Sequence, residues 1–330
     1  MPRPHYFIRW LIMLVVLSCF SCRHDNPFVP PEGGFNAGPI LFVSDKSGPS
    51  QLYSMNADGS NVQELTNDTN FAITDAKWSP DGKKIAVVTP LKQNGGVRRN
   101  GGVIYTLNSD GTNYFQVTKE TIQVEDSTYG LITYGGAHSP VWSPDSRQLA
   151  FIRSSGSDFV TISATFVIDA DGLNEKRVSR TMFEELVTSW APTGSYLMGT
   201  EMDYATSKSK IVIFDFSGNH IDSLQDSSTT FQSPLYSTIG NKIAYTAWMG
   251  GAHNVFVVNA DWSNPVQISH SESTYNFPVS WSSNDQDILI QSAGINSTGW
   301  NILIAHADGG DIRTITPFSS NSLYPTSWKR

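Results

Sequence analysis

The stretch Trp78-Ser79-Pro80-Asp81-Gly82-Lys83-Lys84-Ile85-Ala86-Val87-Val88 returns along this chain, and its return limits the fold more than any other feature. A second copy runs from Trp142-Ser143-Pro144-Asp145-Ser146 into Leu149-Ala150-Phe151-Ile152, and a third from Trp190-Ala191-Pro192-Thr193-Gly194 into Leu197-Met198. Looser copies start at Tyr236 and Trp281, and another anchor aromatic stands at Trp328. Successive anchors lie 64, 48, 46, 45 and 47 positions apart. A period of that size signals an array of small sheet units rather than one wound domain.

Each unit reads as four strands. The first ends at the anchor aromatic, where Ser-Pro-Asp-Gly turns the chain, Pro fixing φ and Gly accepting a positive one. The second is a short apolar run, such as Ile85 to Val88, of the kind covered on both faces. The third, such as Val103 to Leu107, runs into a tight turn of the type Asn56-Ala57-Asp58-Gly59, a hairpin signal found six times. The fourth is polar and closes on an aliphatic residue plus Thr or Ser: Leu65-Thr66, Val117-Thr118, Val178-Ser179, Ile268-Ser269, Ile315-Thr316.

The first apolar run, Ile40 to Ser44, has no anchor motif before it, and the missing half stands at Pro325-Thr326-Ser327-Trp328. Pairing of the two halves in one sheet predicts a closed ring, which leaves few exposed strand edges. The expected fold is therefore all-β: a six-bladed β-propeller of four-stranded blades over residues 39–330, closed by its N- and C-terminal strands. The 64-residue step reflects two insertions, Thr89 to Gly102 and Lys119 to His138.

Ahead of the repeats, Arg3 and Arg9 flank an apolar run from Trp10 to Leu17, too short to span a bilayer and suited to a secretory leader. Cys22 follows small Ser21 and precedes the polar Arg23-His24-Asp25-Asn26, an arrangement that resembles the lipobox of bacterial lipoproteins. Cys22 is the expected lipidation site and Cys19 the alternative; a plain leader with incidental cysteines is the other reading. Residues 1–22 are thus expected to be a lipoprotein signal peptide and residues 23–38 a Pro/Gly-rich linker. The protein would then sit in the cell envelope, lipid-anchored on the periplasmic side of the outer membrane or at the cell surface. No cysteine occurs beyond residue 22, so the folded part has neither disulfide nor thiol chemistry.

With Trp-Ser-Pro-Asp-Gly-Lys-x-Ile-Ala and Met-Asn-Ala-Asp-Gly-Ser-Asn alternating in order, the chain resembles the propeller repeats of the TolB-like family. Related repeats occur in the propeller domains of dipeptidyl peptidases and oligogalacturonate lyase. The resemblance implies the fold and leaves function to the site grafted on it. The short linker leaves no room for the α/β domain that precedes the propeller in TolB, so a full TolB role is not expected. No Gly-x-Ser-x-Gly elbow occurs, which makes a peptidase reading a poor one.

A net charge of −8 argues against nucleic acid as a partner, since phosphate binding needs a basic footprint. Propeller topology sends both insertions and the variable loops to one face, and long loops on a rigid scaffold carry binding. That face is expected to hold Tyr129, Tyr134, His138, Tyr204, His253, His270, Tyr275 and Trp300, whose rings suit a sugar or a peptide. His138, His253 and His270 are also candidate ligands for a divalent metal, although no paired-ligand spacing supports them and no cofactor is otherwise expected. Asp169-Ala170-Asp171-Gly172 opens like a calcium loop, but its twelfth position is Arg180, so it reads as a hairpin turn. The expected function is a non-catalytic envelope module, monomeric, binding a protein, peptide or glycan. The alternative is a metal-dependent carbohydrate-active enzyme of the oligogalacturonate-lyase kind working from the channel mouth.

Overall fold

A computed structural model describes residues 38–329, apart from 94–95, 128–129, 158–159, 181–185, 204–205, 250, 298 and 317–322. Cys19, Cys22, Tyr129 and Tyr204 lie outside the described residues, as do the expected leader and nearly all of the linker. Among the described residues there is no helix.

In chain order the strands are β1 (Ile40–Ser44), β2 (Gln51–Met55), β3 (Gln63–Glu64), β4 (Asp75–Trp78), β5 (Lys84–Gln93), β6 (Gly96–Asn108) and β7 (Phe115–Gln116). Next come β8 (Ile122–Asp126), β9 (Gly130–Tyr134), β10 (Ala137–Trp142), β11 (Gln148–Ser157), β12 (Val160–Asp169) and β13 (Lys176–Arg177). They are followed by β14 (Leu186–Trp190), β15 (Leu197–Asp203), β16 (Lys208–Phe214), β17 (His220–Leu224), β18 (Thr230–Tyr236), β19 (Lys242–Met249), β20 (Ala252–Asn259) and β21 (Val266–Gln267). The last are β22 (Thr274–Trp281), β23 (Asp287–Gly294), β24 (Asn301–His306), β25 (Ile312–Thr314) and β26 (Leu323–Trp328).

Antiparallel neighbours follow the repeat. One sheet has the order β26-β1-β2-β3 and another β14-β15-β16-β17. The runs β4-β5-β6-β7 and β10-β11-β12-β13 merge where Ala137 pairs with Gly102, and β18 to β21 merge with β22 to β25 where His253 pairs with Tyr275. The expected pairing of the chain's two ends is present, with Ile40 opposite Trp328 and Ser44 opposite Leu323. The merger at Gly102 needs glycine: a Cβ built on Gly101 would lie 2.6 Å from the carbonyl carbon of Gly136.

Second and third strands are buried because their residues pack on both faces of the sheet, as Ile40 to Val43 do in β1 and Ile85 to Val88 in β5. The fourth strands are short and exposed, two residues long in β3, β7, β13 and β21. The hydroxyl residue just beyond these four, and just beyond β25, then substitutes for a ladder carbonyl. Thr66 Oγ1 accepts the Leu52 N–H at 2.9 Å, Thr118 that of Ile104 at 2.9 Å, Ser179 that of Thr165 at 3.1 Å, Ser269 that of Val255 at 2.9 Å and Thr316 that of Ile302 at 3.0 Å. The Leu-Thr and Val-Ser closures in the sequence are these contacts.

In the turn after the anchor, Ser79 Oγ donates to Asp81 at 2.6 Å and accepts the Lys84 N–H at 3.0 Å, while Gly82 takes φ +66°. Ser143 and Ser282 repeat the acceptance from Gln148 and Asp287, at 2.9 Å each. The anchor indoles tie one unit to the next: Trp142 Nε1 donates to the Lys77 carbonyl at 3.0 Å and Trp281 Nε1 to that of Leu235 at 3.2 Å.

Both insertions are ribbons rather than loops. The first lengthens β5 and β6 into one hairpin, Thr89 lying opposite Val103 and Gln93 opposite Gly96. The second folds as the two-stranded β8–β9 sheet. Apolar residues on one of its faces, Ile122, Val124, Ile132 and Tyr134, pack on Phe166 and its neighbours. Beneath it Arg153 is fully buried, donating from Nε to Glu175 at 2.5 Å and from Nη1 to the carbonyls of Gly135 at 2.8 Å and Lys119 at 3.1 Å. Asp126 and Arg177 add a second ion pair at 2.8 Å.

Candidate functional site

The first strands of the units, β4, β10, β14, β18, β22 and β26, together line a cavity of about 560 Å³. Five of them carry a one-residue irregularity of register: between His138 and Val141, Val187 and Ser189, Gln232 and Leu235, Pro278 and Ser280, and on β26 opposite Leu41 and Phe42. Bulges of this kind re-aim side chains. Four of these strands hold a proline at the bulge, Pro140, Pro234, Pro278 and Pro325, and Pro140, Pro278 and Pro325 line the cavity. Proline has no N–H, so these positions leave the inner strand edge without a donor. Carbonyls at the bulges are taken within the chain: Thr188 Oγ1 donates to Pro234 O at 2.7 Å, and Lys77 Nζ donates to Thr326 O.

The residue before each of these prolines lines the cavity: Ser139, Ser233, Phe277 and Tyr324. Where proline stands two positions before the anchor, that residue is in the left-handed region, Ser139 at φ 52° and Ser233 at φ 49°. Small polar residues tolerate that region better than bulky ones. Where proline stands three positions before the anchor, the residue is an aromatic.

Charge in the cavity is confined to one side. Among the described lining residues, Asp75, Lys77 and His138 are the ionisable side chains other than tyrosines, and all three belong to β4 and β10. Lys77 pairs with Asp75 at 3.4 Å. His138 lies between Ser139 Oγ at 3.1 Å and Ser154 Oγ at 3.2 Å. Burial holds its imidazole below the usual histidine value, and Asp75 only partly opposes this.

On the other side Phe277 and Tyr324 line the cavity and belong to a chain of touching rings. Trp248 stacks on His253 at 5.5 Å; His253 meets Tyr275 at 4.8 Å and Phe277 at 5.5 Å; Phe277 meets Trp300 at 6.1 Å, and Trp300 meets Tyr324 at 6.3 Å. All six rings sit in the first half of a first strand or where second and third strands join, and two of them, Phe277 and Tyr324, line the cavity. None of the six belongs to a core cluster. Lys208 Nζ lies 5.8 Å from the centre of the Trp248 ring. His253 Nδ1 is buried without a hydrogen-bond partner, and burial lowers the pKa of this ring too.

Of the residues singled out from the sequence, His253, Tyr275 and Trp300 fall in this arc and His138 on the opposite wall. His270 is exposed on the connection between β21 and β22. Tyr134 is fully buried, its ring edge-on to Phe166 at 5.1 Å, because the β8–β9 ribbon folds over it; it is core rather than loop surface. Among the described residues, no group of three or more His, Cys, Asp or Glu side chains is placed to hold a metal ion. Sequence reasoning did not single out Phe277, Tyr324, Asp75 or Lys77. The signal was available in the aromatic-proline pairs Phe277-Pro278 and Tyr324-Pro325 just ahead of an anchor.

No family model matches the chain. A TolB homolog of Chlorobium chlorochromatii is 28% identical over 159 residues, covering 47% of this chain and 29% of that protein. The Tol-Pal system protein TolB of Gluconobacter oxydans is 23% identical over 124 residues, covering 38% of this chain and 27% of that protein. The chain therefore spans under a third of the length of these two curated relatives. The crystal structure of TolB from Acinetobacter baumannii superposes with a TM-score of 0.67 at 18% identity, over 88% of this chain and 66% of that one. The fold is that of a TolB-like β-propeller.

Proposed function

We propose that this chain is a six-bladed propeller, closed through β1 and β26, that serves as a non-catalytic, lipid-anchored module of the cell envelope. Its channel mouth docks an envelope partner, whether protein, peptide or glycan. The observation that carries this reading is the two-sided mouth, a half-open aromatic arc facing a wall that holds the cavity's charges. Likeness to a Tol-Pal system protein supports the envelope setting. Apolar rings left at a concave rim outside every core cluster are what a binding site requires and what a spacer would bury.

A photocrosslinking amino acid placed at position 248 or 300 in the full chain is expected to join an envelope component, while one at position 196, on a turn beyond an anchor, is not. Equal capture from all three positions would overturn the reading. The anchor is tested separately: Cys22→Ser is expected to release the protein from the membrane fraction and abolish acylation, whereas Cys19→Ser is expected to leave both unchanged.

A further inference from the structure

We propose that the aromatic arc is a carbohydrate site, with the sugar rings of a neutral glycan lying along Trp248, Tyr275, Trp300 and Tyr324. The proposal rests on the reading of the mouth as a binding face and names its ligand class. Pyranose rings present an apolar C–H face to an aromatic ring and hydroxyls around their rim, so a sugar site needs ring faces flanked by neutral polar groups. The arc supplies the faces as one contiguous row across the units that contain β19–β20, β22–β24 and β26. Trp248, 42% exposed, opens the row, and Phe277 and Tyr324 carry it into the cavity. Neutral polar groups flank it away from Lys208. Gln291, directly opposite Phe277 across the strand pair, lines the cavity, and the His253 Nδ1 atom has no partner.

Competing ligand classes fit less well. A peptide joining the inner edge as an added strand needs main-chain donors there, and Pro140, Pro234, Pro278 and Pro325 each remove one, on four of the six first strands. Nucleic acid needs a basic footprint, and the chain carries a net charge of −8. An acidic ligand would need a free cation beside the rings. Lys208 is drawn over Trp248 and toward the Ser228 carbonyl at 3.4 Å, and Lys77 is held by Asp75 and Thr326.

The test is an array of immobilised bacterial, plant and animal oligosaccharides probed with the full chain, followed by calorimetric titration of each soluble hit. Binding with a change in tryptophan emission is expected. Trp248→Ala and Trp300→Ala should each weaken it about fivefold to tenfold. Tyr196→Ala should leave it unchanged, and melting temperatures should show that all three variants fold. Should no oligosaccharide bind while a peptide array does, with that signal lost in Trp248→Ala, the glycan assignment is overturned and the mouth reading stands. Silence on both arrays, or glycan binding untouched by Trp248→Ala and Trp300→Ala, overturns the assignment, and silence on both also removes the mouth reading.

Discussion

Replacing Thr118 with valine isolates one recurring contact of the fold. Thr118 is buried, and its Oγ1 accepts the N–H of Ile104, itself fully buried, at 2.9 Å. Valine has nearly the same shape, so packing is kept and the acceptor alone is lost. The Ile104 N–H is then enclosed with nothing to bond. Leaving a buried donor unsatisfied costs about 1–3 kcal/mol. For a large domain each kcal/mol moves the melting temperature by roughly 2–4 °C, so a fall of about 2–12 °C is expected. Scanning calorimetry on wild type, Thr118→Val and Thr118→Ser reads this directly, because serine retains the acceptor and loses only a methyl group. The reasoning fails if Thr118→Val melts at or above wild type, or if serine, with its oxygen intact, falls further than valine.

Three further outcomes are expected. Arg153→Met leaves Glu175 and the carbonyls of Gly135 and Lys119 without their buried partner, so the domain should lose about 3–5 kcal/mol and limited proteolysis should cut within residues 119–135 faster than in wild type. Deleting residues 323–330 uncovers the edge of β1 and removes the Trp328 indole bond to Gly38 and the Lys77 bond to Thr326; the product should aggregate on size-exclusion chromatography, and a stable monomer would refute closure through these strands. Acid should destabilise the protein in two stages. Burial holds His138 and His253 below the ordinary histidine value, so the unfolded chain takes up protons first and stability falls as pH drops below about 6.5. Turn carboxylates such as Asp81 and Asp145, held low by hydrogen bonds from Ser79 and Ser143, lose their contribution as pH falls below about 4 and through their folded values. Melting temperatures at pH 7, 5 and 3 check both the order and the sign.

The repeat was legible because its signals are local. Ser79, Asp81 and Gly82 make a turn within six residues, and the closing hydroxyls recur two residues beyond five fourth strands, β3, β7, β13, β21 and β25, so phase and strand order follow from sequence alone. The insertions were not legible as ribbons. Thr89 to Gly102 is rich in Gly and Asn and lacks clear alternation, and its pairing is an extension of β5 and β6 that only the neighbouring strands dictate. Tyr134 stands in a stretch that reads as a loop, yet its ring is enclosed by Phe166, a residue of the following strand pair. The arc is equally non-local: its rings come from positions 248 to 324, and no window of the sequence contains more than a few of them.

What separates structure from specificity here is a single position in the repeat. The anchor aromatic, the turn serine and the closing hydroxyl are fixed by hydrogen bonds to backbone in neighbouring strands or units, so changing any of them costs stability. The residue before the bulge proline is under no such constraint, because its side chain leaves the sheet for the cavity. On β10 and β18 it is Ser139 and Ser233, at positive φ where a bulky side chain is disfavoured; on β22 and β26 it is Phe277 and Tyr324, where one more residue before the anchor relieves that requirement. A one-residue shift of proline relative to the anchor therefore decides whether the residue before it is serine or an aromatic. That shift accounts for Phe277 and Tyr324, the two rings of the arc that line the cavity, with no change to the core that supports them.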